Sequence, residues 1–411
     1  MDRLYHGRRR SVALGSVNLP HGRPEPWARR GPLALDLTDR ARYESQTVQP
    51  KPFLIITCLA LVTSACDDGT AARPTAAGTT AASVPAATPT VSASSSASLP
   101  AKAEHPDRPV NVIFLIVDAM RADMPWQGYD RPIAPHLTKL ADQSVVYPRA
   151  YSVSSYTAKV LGALLSGRYP STLYRGQTFF TAYSKANLFF PELLQKQRIR
   201  TMAVQAHGYF DRGKNLRQGV DLWQIVPGLK WNAETDENVT GPQTTEMAIK
   251  LLGDKANTGG PFFTWLHYMD PHDKYVVHEG VPSFGRRARD LYDGEIYFTD
   301  LQIRKLLDFC EKQPWWSNTV LIITGDHGEA FGEHGQWKHA FALWEVLTHV
   351  PLIIHGPGIE PRRIEARRSH IDLAPTIIDL MGLEPHPDFV GKSLVPEFYG
   401  AKPDDREPIM L

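Results

Sequence analysis

A short apolar run that breaks at a carboxylate and an imidazole constrains this chain more than any other feature. Residues 320–324 are rich in β-branched side chains, which is typical of a strand buried on both faces. The run stops at Gly325, and Asp326 and His327 follow directly. Ligands of open α/β sheets bind beyond the carboxyl ends of the strands. The pattern therefore predicts a metal site at a sheet edge, and the alternative is a helix-capping Asp326 beside a surface histidine.

A second apolar run ends in the same way. Residues 110–117 read VNVIFLIV, and Asp118 follows. Such a run predicts a central strand covered on both faces. If the two strands are parallel, Asp118 and Asp326 lie at the same edge of the sheet and converge. The two runs together predict an α/β protein with a mostly parallel sheet.

A hydroxyl-rich segment precedes a predicted helix. Within residues 151–171 the apolar residues from Val160 to Leu165 recur at helical spacing, and Gly167 ends the pattern. Ser154, Ser155 and Thr157 crowd its start. One interpretation is helix capping, for which Ser and Thr are preferred. The other is a nucleophilic hydroxyl at a helix N-terminus, where the dipole favours an anionic ester.

Histidines follow two further predicted strands. Residues 262–267 form an apolar run that ends at His267, and the turn at Pro271 presents His272 nearby. His207 follows the shorter predicted strand at residues 200–206. Single histidines at strand ends are commonly structural, but several at one predicted edge favour a functional site.

The first quarter of the chain predicts export rather than a fold. We divide it into a disordered or spurious extension (1–50), a lipoprotein-type signal peptide (51–66) and a disordered Ala/Thr/Ser/Pro-rich tether (67–107), followed by a catalytic domain (108–411). Small residues precede Cys66, as in bacterial lipoprotein signals. We therefore expect a protein of the bacterial cell envelope, in the periplasm or at the cell surface, that contacts the membrane only through lipid on Cys66. The alternative is that the apolar run at 53–62 is a buried core helix.

Composition excludes some classes of function. The net charge of +1 gives no argument for binding nucleic acid, and we expect none. The 3 cysteines are too few for a disulfide framework and show no zinc-binding spacing. The oligomeric state is left open.

Six blocks, taken in order, resemble the sulfatase family of the alkaline phosphatase superfamily. They read NVIFLIVDAMRAD, YTAKVLGALLSGRYPS, FFTWLHYMDPHDKY, VLIITGDHGEAFGEHG, VPLIIHGPG and HIDLAPTIIDLMGL, and they span about residues 109–392. The resemblance implies an alkaline phosphatase-like fold, a three-layer α/β/α sandwich around a mostly parallel sheet. It also implies a divalent metal. The family's C-terminal subdomain is expected to be short or missing here.

The resemblance assigns a one-metal site and a nucleophile. Asp118, Asp326, His327 and Thr157 match metal-ligand positions, and Thr157 also falls on the nucleophile position. Ala119 stands where the family has a second aspartate. Because a histidine is among the ligands, we favour Zn²⁺ or Mn²⁺ over Ca²⁺ or Mg²⁺.

The nucleophile position departs from sulfatases proper. They carry Cys or Ser within C/S-x-P/A-x-R, which is converted to formylglycine, whereas this chain has Thr157-Ala158-Lys159. Formylglycine hydrate expels sulfate from a gem-diol, and a threonine sulfate has no such exit. Threonine can serve phosphoryl chemistry, in which water or an alcohol resolves a phospho-threonine.

Other residues match substrate-contacting positions. The resemblance implies that His267 contacts the ester oxygens and that Lys338 or His339 protonates the leaving group. Lys159, His207 and His272 are expected to bind substrate.

The sequence thus predicts a sulfatase-like metal-dependent hydrolase or transferase of small-molecule, glycan or lipid esters, with phosphodiester-type chemistry favoured. Two alternatives stay open. One is a true sulfuric ester hydrolase. The other is a non-catalytic envelope protein that binds an anionic glycan or lipid.

Overall fold

The structure is a computed structural model that describes residues 110–211, 214–230, 236–404 and 409–411. The segments predicted at 1–50, 51–66 and 67–107 lie outside the described residues, so those three predictions stay predictions.

The described residues form strands β1 (Asn111–Val117), β2 (Val145–Val146), β3 (Ala150–Tyr151), β4 (Arg200–Gln205), β5 (Leu222–Ile225), β6 (Phe262–Tyr268), β7 (Thr319–Gly325), β8 (Ala330–Phe331), β9 (Trp337–Lys338), β10 (His349–Val350), β11 (Leu352–His355), β12 (Arg362–Arg363) and β13 (Arg368–Ser369). They also form helices α1 (Pro135–Ala141), α2 (Thr157–Ser166), α3 (Phe190–Lys196), α4 (Gly241–Gly253), α5 (Lys255–Thr258), α6 (Ala288–Cys310), α7 (Glu345–Thr348), α8 (Leu373–Leu380) and α9 (Val395–Phe398).

Eight strands build the central sheet, in the order β12-β2-β11-β7-β1-β6-β4-β5. The five strands from β7 to β5 are parallel neighbours, and β11 runs antiparallel to β7. The predicted mostly parallel sheet is therefore confirmed. β1 lies at its centre between β6 and β7, which explains why residues 110–117 are apolar almost throughout.

Helices cover both faces of this sheet. Side chains of β1 alternate between two apolar clusters: Phe114 belongs to the one that packs against α2, α3 and α8, and Leu115 to the one that packs against α1, α4 and α6. This period of two is what a pleated strand imposes. The three-layer α/β/α sandwich expected from the sequence is confirmed.

Two elements differ from their predicted extent. The apolar pattern at residues 300–311 predicts a helix there, and the structure shows that this helix, α6, begins at Ala288. Its first half escaped the apolar pattern because Asp290 and Asp293 are buried there, Asp290 against Arg131 and Asp293 against Arg131 and Arg289.

The strand expected at residues 350–355 is divided at Pro351. β10 pairs with β3 in a small three-stranded sheet, whereas β11 joins the central sheet. Proline has no backbone N–H to donate to a ladder, so a break at this residue costs little hydrogen bonding.

Among the helices that the structure describes, none is both long and apolar enough to span a membrane.

Candidate active site

The two predicted carboxylates meet at the carboxyl edge of the sheet. Val117 pairs with Gly325 in the parallel ladder of β1 and β7, so Asp118 and Asp326 leave the sheet side by side. Both are fully buried. The backbone N–H groups of Ala119 and His327 donate to Asp326 Oδ1 at 3.1 and 2.8 Å. These bonds fix the Asp326 carboxylate, and no helix follows that it could cap.

Gly325 allows this close approach. A Cβ atom built at Gly325 would lie 2.4 Å from the carbonyl oxygen of Met120. A side chain here would therefore push apart the turns that carry Asp118 and Asp326.

Thr157 is the first residue of α2, and its hydroxyl faces the two strands. Thr157 Oγ1 donates to Asp118 Oδ2 at 3.1 Å and lies 3.2 Å from His327 Nε2. No side chain caps α2 at its N-cap residue, Tyr156. The capping interpretation of Thr157 is therefore wrong, and the threonine belongs to the carboxylate cluster.

His267 joins the same cluster from the neighbouring strand. It pairs with Ile116 in the ladder of β1 and β6, and its Nε2 lies 3.3 Å from Asp118 Oδ2. Asp118, His267 and Asp326 each offer one ligand atom, and these atoms lie within 4.8 Å of one another. The sequence predicted His267 as a contact of the ester, and the structure places it among the candidate metal ligands.

The donor atoms of this cluster fit a divalent metal ion. Among the described residues, Asp118 Oδ1 and Asp326 Oδ2 are buried without a hydrogen-bond partner. His327 Nδ1 lies 2.9 Å from the carbonyl oxygen of Gly328, so it carries the proton and leaves Nε2 bare. That bare nitrogen is 3.8 Å from Asp118 Oδ1 and 3.5 Å from Asp326 Oδ2. Buried anionic oxygens beside an oriented imidazole are a donor set that suits a divalent metal ion.

The pKa values of the two carboxyls move in opposite directions. Burial pushes the pKa of Asp118 up, but the hydrogen bond with His267 and the charges of His272 and His327 outweigh it and lower the pKa. Burial and the negative charge of Asp118 raise the pKa of Asp326 above its usual value. Two adjacent buried carboxylates resist ionising together, and a cation between them would relieve that repulsion.

A cavity of about 670 Å³ opens beside Thr157 and contains several predicted substrate residues. His207, His272, Lys338 and His339 all line it. The His339 ring lies 4.3 Å from that of His327 and 5.0 Å from that of His272, measured between centroids. The structure thus brings these four predicted residues to one place.

Lys159 is the exception. It lies in the first turn of α2 but is not among the cavity-lining residues. The substrate-binding role of Lys159 stays a prediction.

Two carboxylates that contact the cavity residues His339 and Lys338 were not predicted from the sequence. Glu329 is fully buried, accepts from Tyr275 Oη at 2.9 Å and lies 3.2 Å from His339 Nδ1 through Oε1. Asp273 Oδ2 pairs with Lys338 Nζ at 2.7 Å. The sequence feature that could have identified Glu329 was its position, two residues after the Asp-His pair in a glycine-rich segment.

Gln205 was also missed. It is the last residue of β4, one position beyond the paired Val204 and Leu266, which places it beside His267. Its side chain is fully buried, and both amide atoms are without a partner among the described residues. A polar residue at the end of an apolar strand was the sign that could have revealed it.

Comparison with known proteins decides the family. The family model named Sulfatase matches residues 110–383. The chain belongs to the sulfatase family. A choline-sulfatase from Rhizobium meliloti is 33% identical over 379 residues, which cover 73% of this chain and 73% of the relative. Human iduronate 2-sulfatase is 22% identical over 338 residues, which cover 61% of this chain, and the match spans only 60% of that relative's length.

Solved structures agree on the sulfatase family's fold. A Vibrio parahaemolyticus protein in the alkaline phosphatase superfamily matches with a TM-score of 0.58 and 20% identity, over 70% of each chain. This likeness concerns the fold alone. It confirms the alkaline phosphatase-like architecture predicted from the sequence.

Proposed function

We propose that this protein is a metal-dependent hydrolase or transferase that acts on phosphate or sulfate esters through Thr157, with phosphoester chemistry favoured. One observation carries the proposal. Thr157 Oγ1 lies at the start of α2 within hydrogen-bond distance of both Asp118 Oδ2 and His327 Nε2. A threonine whose hydroxyl serves only to start a helix would bond to its own first turn instead.

Asp118, Asp326 and His327 would hold the metal together with His267, and the Thr157 hydroxyl would lie beside it. A divalent cation there supplies positive charge that lowers the pKa of a hydroxyl and offsets charge on the ester oxygens. The metal is proposed as Zn²⁺ or Mn²⁺ because of the imidazole nitrogen.

Thr157 supplies the nucleophile. Its Oγ1 forms a bond to the phosphorus atom while the bond from phosphorus to the leaving alcohol's oxygen breaks. The hydroxyl proton leaves to water in the cavity, and Asp118 Oδ2, which accepts a hydrogen bond from the hydroxyl, orients Oγ1. Water or a second alcohol then displaces Thr157 from phosphorus and restores the hydroxyl.

His339 is the better placed of the two predicted acids. Glu329 lies beside His339 Nδ1 and orients the ring so that Nε2 is the nitrogen left to protonate the leaving alcohol. Lys338 Nζ is held by Asp273, which favours a role in binding the charged ester.

The choice between phosphate and sulfate rests on the resolving step. When water attacks the phosphorus of phospho-threonine, the threonine hydroxyl is freed without any need for a carbonyl hydrate. A threonine sulfate lacks the gem-diol through which formylglycine expels sulfate. Threonine at the nucleophile position therefore supports phosphoester chemistry.

An ester panel tests the proposal. The purified chain, loaded with Zn²⁺ or Mn²⁺, is assayed on phosphodiesters, phosphomonoesters and sulfate esters. Thr157→Ala should lower kcat/KM at least about a thousandfold, Thr157→Ser should retain part of it, and the matched control Ser154→Ala should change little. If Thr157→Ala left turnover unchanged, Thr157 would not be the nucleophile.

A true sulfatase is the second candidate, because the chain is 33% identical to a choline-sulfatase over 73% of its length. Activity confined to sulfate esters, or a modified Thr157 in intact-mass spectra, would favour it. A non-catalytic protein that binds an anionic glycan or lipid is the third candidate. A folded chain that retains no metal would favour that one.

We also propose that the protein is exported and anchored through lipid on Cys66. The support is the sequence alone, an apolar run and small residues before the cysteine. Labelled palmitate should enter the wild-type chain in a bacterial host and not Cys66→Ser. Equal labelling of both would count against the anchor.

A further inference from the structure

We propose that the cavity beside Thr157 holds the leaving group of the ester in an aromatic subsite built for an apolar alcohol, an alkyl chain or a flat ring, rather than for a sugar. The inference rests on the proposed function, because it assigns the substrate class of the same site.

Aromatic rings form one wall of this cavity. Tyr156, Phe179, Phe180, Trp337 and Phe341 all line it. Phe179 stacks on Tyr156 with centroids 4.7 Å apart and planes at 10°, and it lies 6.0 Å from Phe341 at 27°. Phe180 meets Phe179 edge to face at 5.1 Å. Tyr156, Phe179, Phe180 and Phe341 therefore form a continuous set of ring contacts within the wall.

This wall is held next to the nucleophile. Tyr156 immediately precedes Thr157, and the backbone N–H of Ala340 donates to the carbonyl oxygen of Ser155 at 2.9 Å. That bond fastens the segment carrying Phe341 to the start of α2. An alcohol leaving from an ester at Thr157 would enter the space between these rings.

Three rings of this wall are exposed to solvent, which is uncommon for aromatic side chains. Phe341 is 83% exposed, Trp337 61% and Phe179 43%. Exposed apolar side chains that line a cavity mark a binding surface, because covering them with an apolar ligand removes that area from water.

The histidines of the cavity run from the metal-ligand edge to the aromatic wall, where His207 stacks on Phe180 with ring centroids 6.4 Å apart. His339 contacts His327, His272 contacts His339, and His207 follows at 6.3 Å from His272, so the histidines extend from the metal-ligand edge. Lys338 and Asp273 neutralise each other. Apart from its rings, the described part of the aromatic wall offers the Tyr156 hydroxyl and the Trp337 indole N–H, whereas the several hydroxyls of a sugar each need a hydrogen-bond partner when buried.

Chain length in the leaving group tests the subsite. Methyl, butyl and hexyl phosphates and sulfates are compared as substrates of the metal-loaded chain, since butyl and hexyl alcohols differ little in acidity. We expect kcat/KM to rise about two- to fourfold per added methylene up to hexyl. In the double variant Phe179→Ala/Phe341→Ala that rise should flatten. Tyr174→Ala, which removes an exposed ring outside the cavity, should keep the wild-type slope.

A binding measurement separates this inference from the proposed function. Calorimetry on Thr157→Ala compares hexyl phosphate with glucose 6-phosphate, and hexyl phosphate should bind at least tenfold more tightly. Equal affinity for the two, or a flat dependence on chain length, would overturn the subsite even if Thr157-dependent turnover stands. Preferential binding of hexyl phosphate without turnover of any ester would keep the subsite and overturn the hydrolase.

Discussion

At the scale of single residues, the turn after β1 decides how much negative charge the site holds. Ala119 adopts φ of 55°, the left-handed region that aspartate and asparagine enter more readily than alanine. Its N–H holds Asp326, and its carbonyl oxygen accepts from Tyr292 Oη at 2.9 Å. The turn is therefore fixed by hydrogen bonds of the Ala119 backbone, and the buried Ala119 side chain takes no part in them.

Ala119→Asp should add a third carboxylate beside Asp118 and Asp326. We expect the metal-free variant to melt at a lower temperature than wild type, because three buried carboxylates repel one another. Its affinity for Zn²⁺ or Mn²⁺ should rise about tenfold, since an added charged ligand tightens a cation site. Differential scanning calorimetry with and without metal measures both effects. Ala119→Asn is the control that lacks the charge. If it raised the metal affinity as much as Ala119→Asp does, the electrostatic explanation would be contradicted.

Residues that end apolar strands could be predicted from the sequence, and residues that support them could not. Asp118 and Asp326 each interrupt a long apolar run, so their positions stand out. The roles of Glu329 and Gln205 depend on their proximity to His339 and His267, which are ten or more residues away along the chain. Lys159 shows the converse case, because it is two positions from Thr157 in sequence and yet is not among the residues that line the cavity.

At the scale of elements, the loop between β7 and β8 depends on a close approach of two backbones. Gly325→Ala should disturb both fold and site, because the new Cβ would meet the Met120 carbonyl oxygen. We expect a loss of about 2 kcal/mol or more in the free energy of unfolding, together with weaker metal binding. Denaturant unfolding and metal titration measure the two. Gly260→Ala is the matched control, since no atom lies within 4 Å of its added Cβ.

Asp270 anchors the start of α4 from a buried position. Its Oδ1 accepts from the Thr240 N–H at 2.9 Å, and burial raises its pKa from 3.8 to about 6. The protonated carboxyl is favoured by folding, so this contribution to stability is present below pH 3.8 and is lost as pH rises through 6. Relative to Asp270→Asn, wild type should lose up to about 3 kcal/mol between pH 4 and pH 7.

Urea unfolding of both proteins at four pH values with a chelator present gives the difference directly. Groups common to the two proteins cancel in that difference. A wild-type minus variant difference that stays constant over this range would show that the carboxyl is not perturbed.

The helices and strands themselves were predictable where their period was regular. β1, β7 and α2 follow simple apolar patterns and were placed within a residue or two. The first half of α6 was not, because its inward positions carry Asp290 and Asp293, which pair with Arg131 from a distant segment.

At the scale of the whole molecule, a buried ion pair ties the last helix to the rest. Arg368 on β13 donates through Nε and Nη2 to the two carboxylate oxygens of Glu397 on α9, at 2.9 and 2.6 Å. The arginine side chain is fully buried. Arg368→Met should cost about 3–5 kcal/mol, because it strands a buried carboxylate.

The double variant Arg368→Met/Glu397→Leu should recover most of that loss, since no buried charge is left unpaired. Thermal unfolding of the two single variants and the double variant completes the cycle. Additive losses would contradict a coupled pair.

The hydrogen bond between Ala119 and Asp326 joins residues 207 positions apart. Bringing such distant segments together requires the intervening chain to be ordered first, so we expect the site to form late in folding. A nascent chain released before β7 would lack half of the carboxylates and could not retain an ion. Acquisition of metal would then report that β7 has joined β1 in the sheet.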